Sequence, residues 1–235
     1  MSGSLVSAGL RARVRGLAEP VARGLGRLGL TPNHLTFIGF GIAVIAAVAA
    51  AQQAWLATGL LVLFGAVFDL FDGALARSTG RVTRLGAFYD SVFDRWGEGV
   101  VYVGVAWGCV AAGFVEGAVF ASAALASAVM VSYTRAKSEG LGFTPGSGMA
   151  AIGIMPREVR LVLLSLGLII AGLLGTAVEA AEVELAPAGS AALPPGIVAL
   201  EIALAVIAVG ATVTVIQRIL HVRHQAMSAD QPTTR

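Results

Sequence analysis

Four aspartates between residues 69 and 94 are the part of the sequence best suited to chemistry. Asp69 and Asp72 are three residues apart, and Asp90 and Asp94 are four apart, so on helices each spacing places both carboxylates on one face. The short linking segment contains Gly80, which lets two antiparallel helices bring the four together. Packed carboxylates repel one another, and a pair of divalent cations would reverse that cost. Oxygen ligands of this kind suit Mg²⁺, which also takes phosphate oxygens.

The residues next to the aspartates point to a phosphate ligand. Gly73 leaves room for a ligand beside the cations, and Ala76 is small. Arg77 supplies a fixed cation that can hold a phosphate through two contacts. The alternative is a solvated turn whose arginines pair with the acids, which explains a single aspartate better than four at these spacings. Ionisable groups at membrane depth indicate function by default.

The rest of the chain is apolar enough to place these acids in a membrane. Of the 235 residues, 57% are hydrophobic and only 13% are charged, with a mean hydropathy of +0.83. A soluble domain carries about twice that charged fraction. Continuous apolar runs favour membrane helices over β-barrel strands. We therefore expect an all-α integral membrane protein with six spans, at Leu35–Ala51, Ala54–Leu75, Leu85–Ala112, Gly117–Arg135, Val159–Val178 and Gly196–Leu220.

The distribution of charge predicts how the protein is oriented. Arginines and lysines precede span one, lie between spans two and three and between four and five, and follow span six, whereas the opposite loops carry only glutamates. By the positive-inside rule, both termini and the aspartates face the cytoplasm. The mixture of arginines and apolar residues at positions 10–30 predicts an amphipathic helix on the membrane surface rather than a signal peptide. The net charge of +2 is too small to indicate a nucleic-acid partner.

The aspartate pattern resembles a known family motif, D-x-x-D-G-x-x-A-R-(x8)-G-x-x-x-D-x-x-x-D of the CDP-alcohol phosphotransferases. The resemblance implies a six-span transferase of phospholipid biosynthesis in the cell membrane that uses CDP-diacylglycerol and releases CMP. It also implies two Mg²⁺ ions, with Mn²⁺ as a substitute, and a homodimer. The matching positions are Asp69, Asp72, Gly73, Ala76, Arg77, Gly86, Asp90 and Asp94.

The same resemblance assigns roles to individual residues. Asp69, Asp72 and Asp90 hold the metals, and Asp94 acts as the catalytic base and also touches a metal. Two metals can clamp the attacking and leaving oxygens, and positioning supplies much of the remaining catalysis. The segment LTPNHLT before span one resembles a family segment that faces the nucleotide, and we expect its His34 to be interfacial rather than catalytic. The CDP-lipid contacts implied are Asn33, Thr36, Gly73, Arg77 and Thr83.

A second group of cations bears on the acceptor. SYTRAKSE (Ser132–Glu139) resembles the S-Y-x-K-A-R-A-E stretch of the prokaryotic phosphatidylinositol-phosphate synthases, with Lys and Arg exchanged, and these are not equivalent as phosphate ligands. By this resemblance the acceptor is a phosphorylated polyol, inositol 1-phosphate, with glycerol 3-phosphate as the main competitor. A purely topological role competes with phosphate binding more strongly for Lys137 and Arg157 than for the arginines at the ends of the spans. The expected acceptor-phosphate ligands are Ser132, Arg135, Arg160 and Arg218.

Three regions and two other protein classes complete the prediction. Residues 1–34 form the cytoplasmic amphipathic helix and nucleotide-facing segment, 35–220 the six-span catalytic domain and 221–235 a cytoplasmic tail.

An ion or proton transporter would distribute acids across the membrane, whereas only Glu201 lies in a span away from the cluster. A scaffold protein would not need the spaced motif. Gly104 and Gly108, spaced as GxxxG, serve packing within the chain or a dimer.

Overall fold

Six long helices make up the fold. The computed structural model describes residues 20–21, 24–80, 82–143, 149, 152–179 and 194–229, without the side chains at positions 70, 72, 176–179 and 229. No strand is present among these residues, which confirms the predicted all-α class. The helices are α1 Pro32–Ala51, α2 Trp55–Ser78, α3 Arg84–Ala111, α4 Val115–Gly140, α5 Arg157–Glu179 and α6 Pro195–Ala229.

Five of these helices are long and apolar enough to cross a membrane. They are α1, α2, α4, α5 as far as Gly175 and α6 as far as Ser228. Helix α3 is not in this set, because its first half carries charged residues that include Asp90, Asp94 and Glu98. The protein is therefore membrane-embedded, and the predicted amphipathic helix lies largely outside the described residues.

Side-chain caps fix where α1 and α3 begin, and these starts help to position the site. The Thr31 hydroxyl accepts a hydrogen bond from the His34 backbone N–H at 3.3 Å, and His34 Nδ1 accepts one from the Thr31 N–H at 3.4 Å. This reciprocal capping satisfies two donors that the helix itself cannot. Thr83 accepts from the Gly86 N–H at 3.0 Å and caps α3 in the same way. His34 therefore has a capping role.

Glycines let α1 and α3 approach closely. A Cβ added to Gly104 would lie 2.7 Å from Ala47 Cα, and one added to Gly108 would lie 2.7 Å from a ring carbon of Trp55. Both distances are too short for real side chains, so these positions require glycine. The GxxxG pair thus serves packing within the chain, against α1 and the start of α2.

The helices pack in a bundle that surrounds the aspartates. Helix α1 packs against α2 and α3, α2 also packs against α5, and α6 packs against α4 and α5, while α3 and α4 are neighbours. The closely packed helix pairs of the described chain do not include α3 with α5. The site lies where α2, α3 and the start of α5 face one another.

Candidate active site

Three of the predicted carboxylates share one site between α2 and α3. Asp69 lies in the second half of α2, and Asp90 and Asp94 lie one turn apart on α3. Asp69 and Asp90 both act electrostatically on Asp94, which places all three within reach of one another. Asp72 lies one turn after Asp69 on α2, and its side chain is outside the described residues.

A guanidinium joins two of these carboxylates. Arg157 Nη2 donates to Asp69 Oδ2 at 2.8 Å, and its Nη1 lies 2.9 Å from Asp94 Oδ2. Arg157 is the first residue of α5, so its side chain connects α5 to both aspartate helices. Its Nε is buried and has no hydrogen-bond partner in the described part of the chain. A buried donor left unpaired costs about 1–3 kcal/mol, so this nitrogen is suited to an anionic ligand.

A cavity lies beside this group of charges. It is partly open to solvent, and the empty space in it, open solvent included, is about 470 Å³. The polar part of its wall consists of Thr36, Asp69, Asp94, Glu98 and Arg157, and apolar residues such as Phe40 and Leu161 form the remainder. The arrangement offers anionic and cationic groups side by side at the edge of an apolar interior.

Glycine keeps the space next to Asp69 open. Gly39 lines the cavity, and a Cβ at this position would lie 3.2 Å from Asp69 Oδ1. Such a contact is tighter than nearly all real Cβ contacts, so a side chain here would push against the carboxylate. The sequence analysis did not single out Gly39, because the residue has meaning only once α1 is known to face α2.

The predicted CDP-lipid contacts fall into two groups. At the start of α1 and α3, a Cβ on Gly86 would lie 3.0 Å from Thr83 Oγ1 and 3.2 Å from Asn33 Oδ1, so both side chains lie next to Gly86 and the motif glycine leaves them room. On α2, a Cβ on Gly73 would lie 3.2 Å from Arg77 Nη1. The absence of a side chain at Gly73 thus makes space for Arg77 itself.

Two of the predicted acceptor ligands, Arg160 and Arg218, donate hydrogen bonds to groups of the protein itself. Arg160 Nε and Nη2 donate to the two Glu98 carboxylate oxygens at 2.7 and 2.8 Å, and Nη1 donates to the Met155 carbonyl at 3.2 Å. Arg160 is only 1% exposed. Arg218 Nε donates to the Ile152 carbonyl at 3.0 Å. Its Nη1 donates to the carbonyl of Val131.

The other two predicted acceptor ligands lie on α4. Arg135 is about 42% exposed and its Nε donates to Glu139 Oε1 at 2.9 Å, while Ser132 is half-buried one turn earlier. Arg218 interacts electrostatically with both Arg135 and Arg160, so the three predicted cations lie near one another. Arg135 differs from the other two in being accessible.

Sequence reasoning missed Glu98 and underrated Arg157. Both residues line the cavity, and Arg157 contacts two motif aspartates directly. Glu98 follows Asp94 by four residues, which continues the spacing of Asp90 and Asp94. That regular spacing was the available signal, because it puts a third acid on the same face of α3.

The chain belongs to a known enzyme family. Residues 29–222 match the model of the CDP-alcohol phosphatidyltransferases. The chain is 35% identical over 224 residues to a phosphatidylinositol phosphate synthase of Streptomyces avermitilis, covering 91% of this chain and 81% of the relative. It is 37% identical over 155 residues to an archaetidylinositol phosphate synthase of Pyrococcus horikoshii, covering 66% of this chain and 78% of the relative.

The fold is also similar to that of a solved relative. Phosphatidylinositol phosphate synthase of Mycobacterium tuberculosis, in complex with manganese and citrate, matches with a TM-score of 0.71 at 28% identity over 88% of each chain. The structure of that enzyme with CDP-DAG bound matches with a TM-score of 0.71 over 87% of this chain and 92% of the other.

Proposed function

We propose that the protein transfers the phosphatidyl group from CDP-diacylglycerol to a hydroxyl of inositol 1-phosphate and releases CMP. The observation that carries this proposal is the contact of Arg157 with Asp69 and Asp94. It places a guanidinium, which suits a phosphate, directly beside the carboxylates that the family motif uses. An anionic acceptor would meet that cation next to the reacting diphosphate.

The donor side of the site is assigned to the N-terminal half of the chain. Asn33, Thr36, Gly73, Arg77 and Thr83 would contact the CDP-lipid. Support comes from the position of Asn33 and Thr83 next to Gly86 and from the place of Thr36 in the cavity wall. The related enzyme with CDP-DAG bound shares the fold.

The donor atoms fit hard divalent cations. Asp69, Asp90 and Asp94 offer only carboxylate oxygens, which Mg²⁺ and Mn²⁺ prefer. Among the described residues, which do not include the Asp72 side chain, no three metal-binding side chains stand in a metal-binding arrangement. We assign Asp69, Asp72, Asp90 and Asp94 to two Mg²⁺ ions, with Mn²⁺ as an alternative. Bound cations neutralise the diphosphate and stabilise the leaving group.

The chain's own residues then account for the transfer. Asp94 takes the proton of the acceptor hydroxyl, the acceptor oxygen bonds to the phosphorus that carries diacylglycerol, and the bond from that phosphorus to CMP breaks. Arg157 orients the acceptor phosphate, with Arg135 and Ser132 from α4 as further ligands. Positioning of this kind supplies a large part of the rate in phosphoryl transfer. Arg160 and Arg218 donate hydrogen bonds to groups of the protein itself, so we do not assign them to the acceptor phosphate.

The choice of inositol 1-phosphate over glycerol 3-phosphate follows the relatives. Both sequence relatives carry inositol phosphate in their names, and they differ in the lipid to which it is joined. The Streptomyces enzyme, whose lipid half is phosphatidyl, matches over the larger share of this chain. CDP-diacylglycerol is accordingly the proposed donor.

The proposed membrane arrangement completes the function. Helix α3 is a sixth span, residues 1–34 include an amphipathic helix on the cytoplasmic surface, and 221–235 form a cytoplasmic tail, with the catalytic domain at 35–220. The site faces the cytoplasm, because the loops rich in arginine and lysine flank it. The active form is a homodimer, as the family resemblance implies.

An acceptor panel tests the proposal. Purified protein in lipid nanodiscs receives CDP-diacylglycerol, Mg²⁺ and one acceptor at a time, and CMP release and the lipid product are measured. Inositol 1-phosphate should give the highest kcat/KM, above glycerol 3-phosphate and far above inositol, serine or glycerol. Equal use of the unphosphorylated alcohols would contradict the phosphate site, while no CMP release with any acceptor would contradict the transferase assignment.

A further inference from the structure

We propose that Glu98 is a positioning residue for the acceptor: paired with Arg160, it holds the first turn of α5 so that Arg157 stays over the site. The pairing matters to catalysis only if Arg157 meets the acceptor phosphate, so this inference rests on the proposed function.

Two ion pairs, one helical turn apart, connect α3 to α5; we call them the outer rung and the inner rung. Asp94 and Glu98 are four residues apart on α3, and Arg157 and Arg160 are three apart on α5, so each pair of residues shares one helix face. The outer rung is Asp94 with Arg157 at 2.9 Å. The inner rung is Glu98 with Arg160, through two charge-assisted hydrogen bonds of 2.7 and 2.8 Å.

The two rungs differ in burial, and this separates their roles. In the outer rung the side chains are 25% and 16% exposed, so a ligand can reach Arg157. In the inner rung they are 1% and 4% exposed, so Glu98 and Arg160 are sealed from solvent. Separating a buried ion pair would leave an uncompensated charge in the protein interior. The Glu98–Arg160 pair should therefore stay formed while Arg157 leaves Asp94 to bind a ligand.

Side-chain ion pairs, rather than close backbone contacts, connect the two helices at this level. Helices α3 and α5 are not among the closely packed pairs of the described bundle, and the cavity separates them, with Val101 and Leu161 in its wall. A bidentate carboxylate–guanidinium pair has a defined geometry. The inner rung therefore sets the spacing at which Arg157 faces Asp94.

The segment before α5 is held by the same group. Arg160 donates to the Met155 carbonyl at 3.2 Å, and the Met155 N–H donates to Thr214 Oγ1 at 2.9 Å. Since Arg157 follows this segment by two residues, a shift of Arg160 would be passed directly to it. Glu98 thus acts on the site through Arg160 and the helix start, without touching the substrate.

The decisive variant is Glu98→Gln, which keeps the shape of the side chain and removes its charge. The KM for the acceptor should rise by about tenfold or more, which corresponds to roughly 1.4 kcal/mol. The KM for CDP-diacylglycerol should change less than about twofold, because the proposed donor contacts lie on α1–α3. Glu201→Gln is the control, since Glu201 is a partly buried glutamate of α6 that lies outside the cavity wall. Both KM values should be unchanged in it.

A charge exchange distinguishes positioning from simple stability. In the double variant Glu98→Arg/Arg160→Glu the pair is restored with reversed polarity, and acceptor KM should return at least partway to the wild-type value. If neither this variant nor Glu98→Gln yields folded protein, Glu98→Gln/Arg160→Gln, which removes both charges together, should show the acceptor-specific rise in KM.

Each negative outcome has a separate meaning. A folded Glu98→Gln or Glu98→Gln/Arg160→Gln protein with normal acceptor KM would overturn the positioning role, as would equal changes in both KM values. Loss of thermal stability with normal kinetics in the remaining protein would also overturn it. If wild-type protein itself used no phosphorylated acceptor, the proposed function would fail first, and the acceptor panel detects that independently.

Discussion

Arg157, the first residue of α5, lies 2.9 Å from Asp94, the last aspartate of the motif on α3. The two residues come from different halves of the chain and meet at the mouth of the cavity. The carboxylate that is proposed to take the proton thus touches the cation that is proposed to hold the acceptor. If both roles hold, the hydroxyl and the phosphate of the acceptor would lie next to one another, as in a small phosphorylated polyol.

Replacing Arg157 should therefore weaken acceptor use. Arg157→Gln should raise acceptor KM by about 10- to 100-fold, since hydrogen bonds to charged groups contribute roughly 1.5–3 kcal/mol. Arg157→Lys should recover only part of this, because a lysine cannot form the two-point contact. Steady-state kinetics with varied acceptor and fixed CDP-diacylglycerol provides the measurement. A normal acceptor KM in folded Arg157→Gln protein would exclude Arg157 as the phosphate ligand.

The same arginine should compete with divalent cations for carboxylate oxygens. Because Arg157 is bonded to Asp69 and Asp94, its removal should leave these oxygens free and tighten Mn²⁺ binding. Titration of Mn²⁺ into Arg157→Gln and wild-type protein, followed by electron paramagnetic resonance, measures this without substrate. The double variant Arg157→Gln/Asp69→Asn controls for the carboxylate itself. Weaker Mn²⁺ binding in Arg157→Gln would show that the guanidinium supports the metal site instead.

The motif aspartates should be indispensable for turnover. Asp69→Asn or Asp90→Asn should abolish CMP release from membrane-inserted protein, and removal of divalent cations with a chelator should do the same to the wild type until Mg²⁺ is restored. Glu116→Gln, in the first turn of α4 at the opposite end of the bundle, is the control and should remain active. Near-normal turnover by either aspartate variant would remove the basis for the metal assignment.

The orientation can be tested with single cysteines. The buried Cys109 is the chain's one cysteine, so a Cys109→Ala background is silent toward thiol reagents. Ser78→Cys, at the end of α2 next to the site, should react with an impermeant reagent only from the cytoplasmic side. Val115→Cys, exposed at the start of α4, should react only from the outside. The reverse labelling pattern would require the opposite topology.

Close packing between α1 and α3 should make Gly104 intolerant of any side chain. Gly104→Ala places a methyl group against the Ala47 backbone and should destabilise the fold by about 1–3 kcal/mol, as overpacking does. Gly41→Ala on α1, where an added Cβ has nothing within 4 Å, should be neutral or slightly stabilising. Denaturant unfolding in detergent compares the two. Equal stability of both variants would contradict the close approach of these helices.

The sequence was sufficient to predict the helices and the carboxylates, because both depend on local patterns. Continuous apolar runs mark helices, and spacings of three and four residues put acids on one face. The contacts of Arg157 with Asp69 and of Arg160 with Glu98 join residues 88 and 62 positions apart. Helical periodicity indicates which face a residue lies on but not which helix it meets, so neither pair could be derived.

The acceptor cations show a second limit of sequence reasoning. Arg160 and Arg218 were selected by their charge and their position at helix ends. What decides their availability is the set of backbone carbonyls from Met155, Ile152 and Val131 that accept their hydrogen bonds. A backbone carbonyl is present at every position whatever the residue type, so the sequence does not indicate which carbonyls face an arginine.

The rungs between α3 and α5 have a consequence for how acceptor preference can change during evolution. The proposed donor contacts lie on or next to α1–α3 and the proposed acceptor contacts lie on α4 and α5, so recombination between the two halves of the chain could exchange one substrate while retaining the other. The Glu98–Arg160 pair crosses that boundary. A chimera with a new C-terminal half would therefore inherit a working acceptor site only if the acid on α3 and the base on α5 were inherited together.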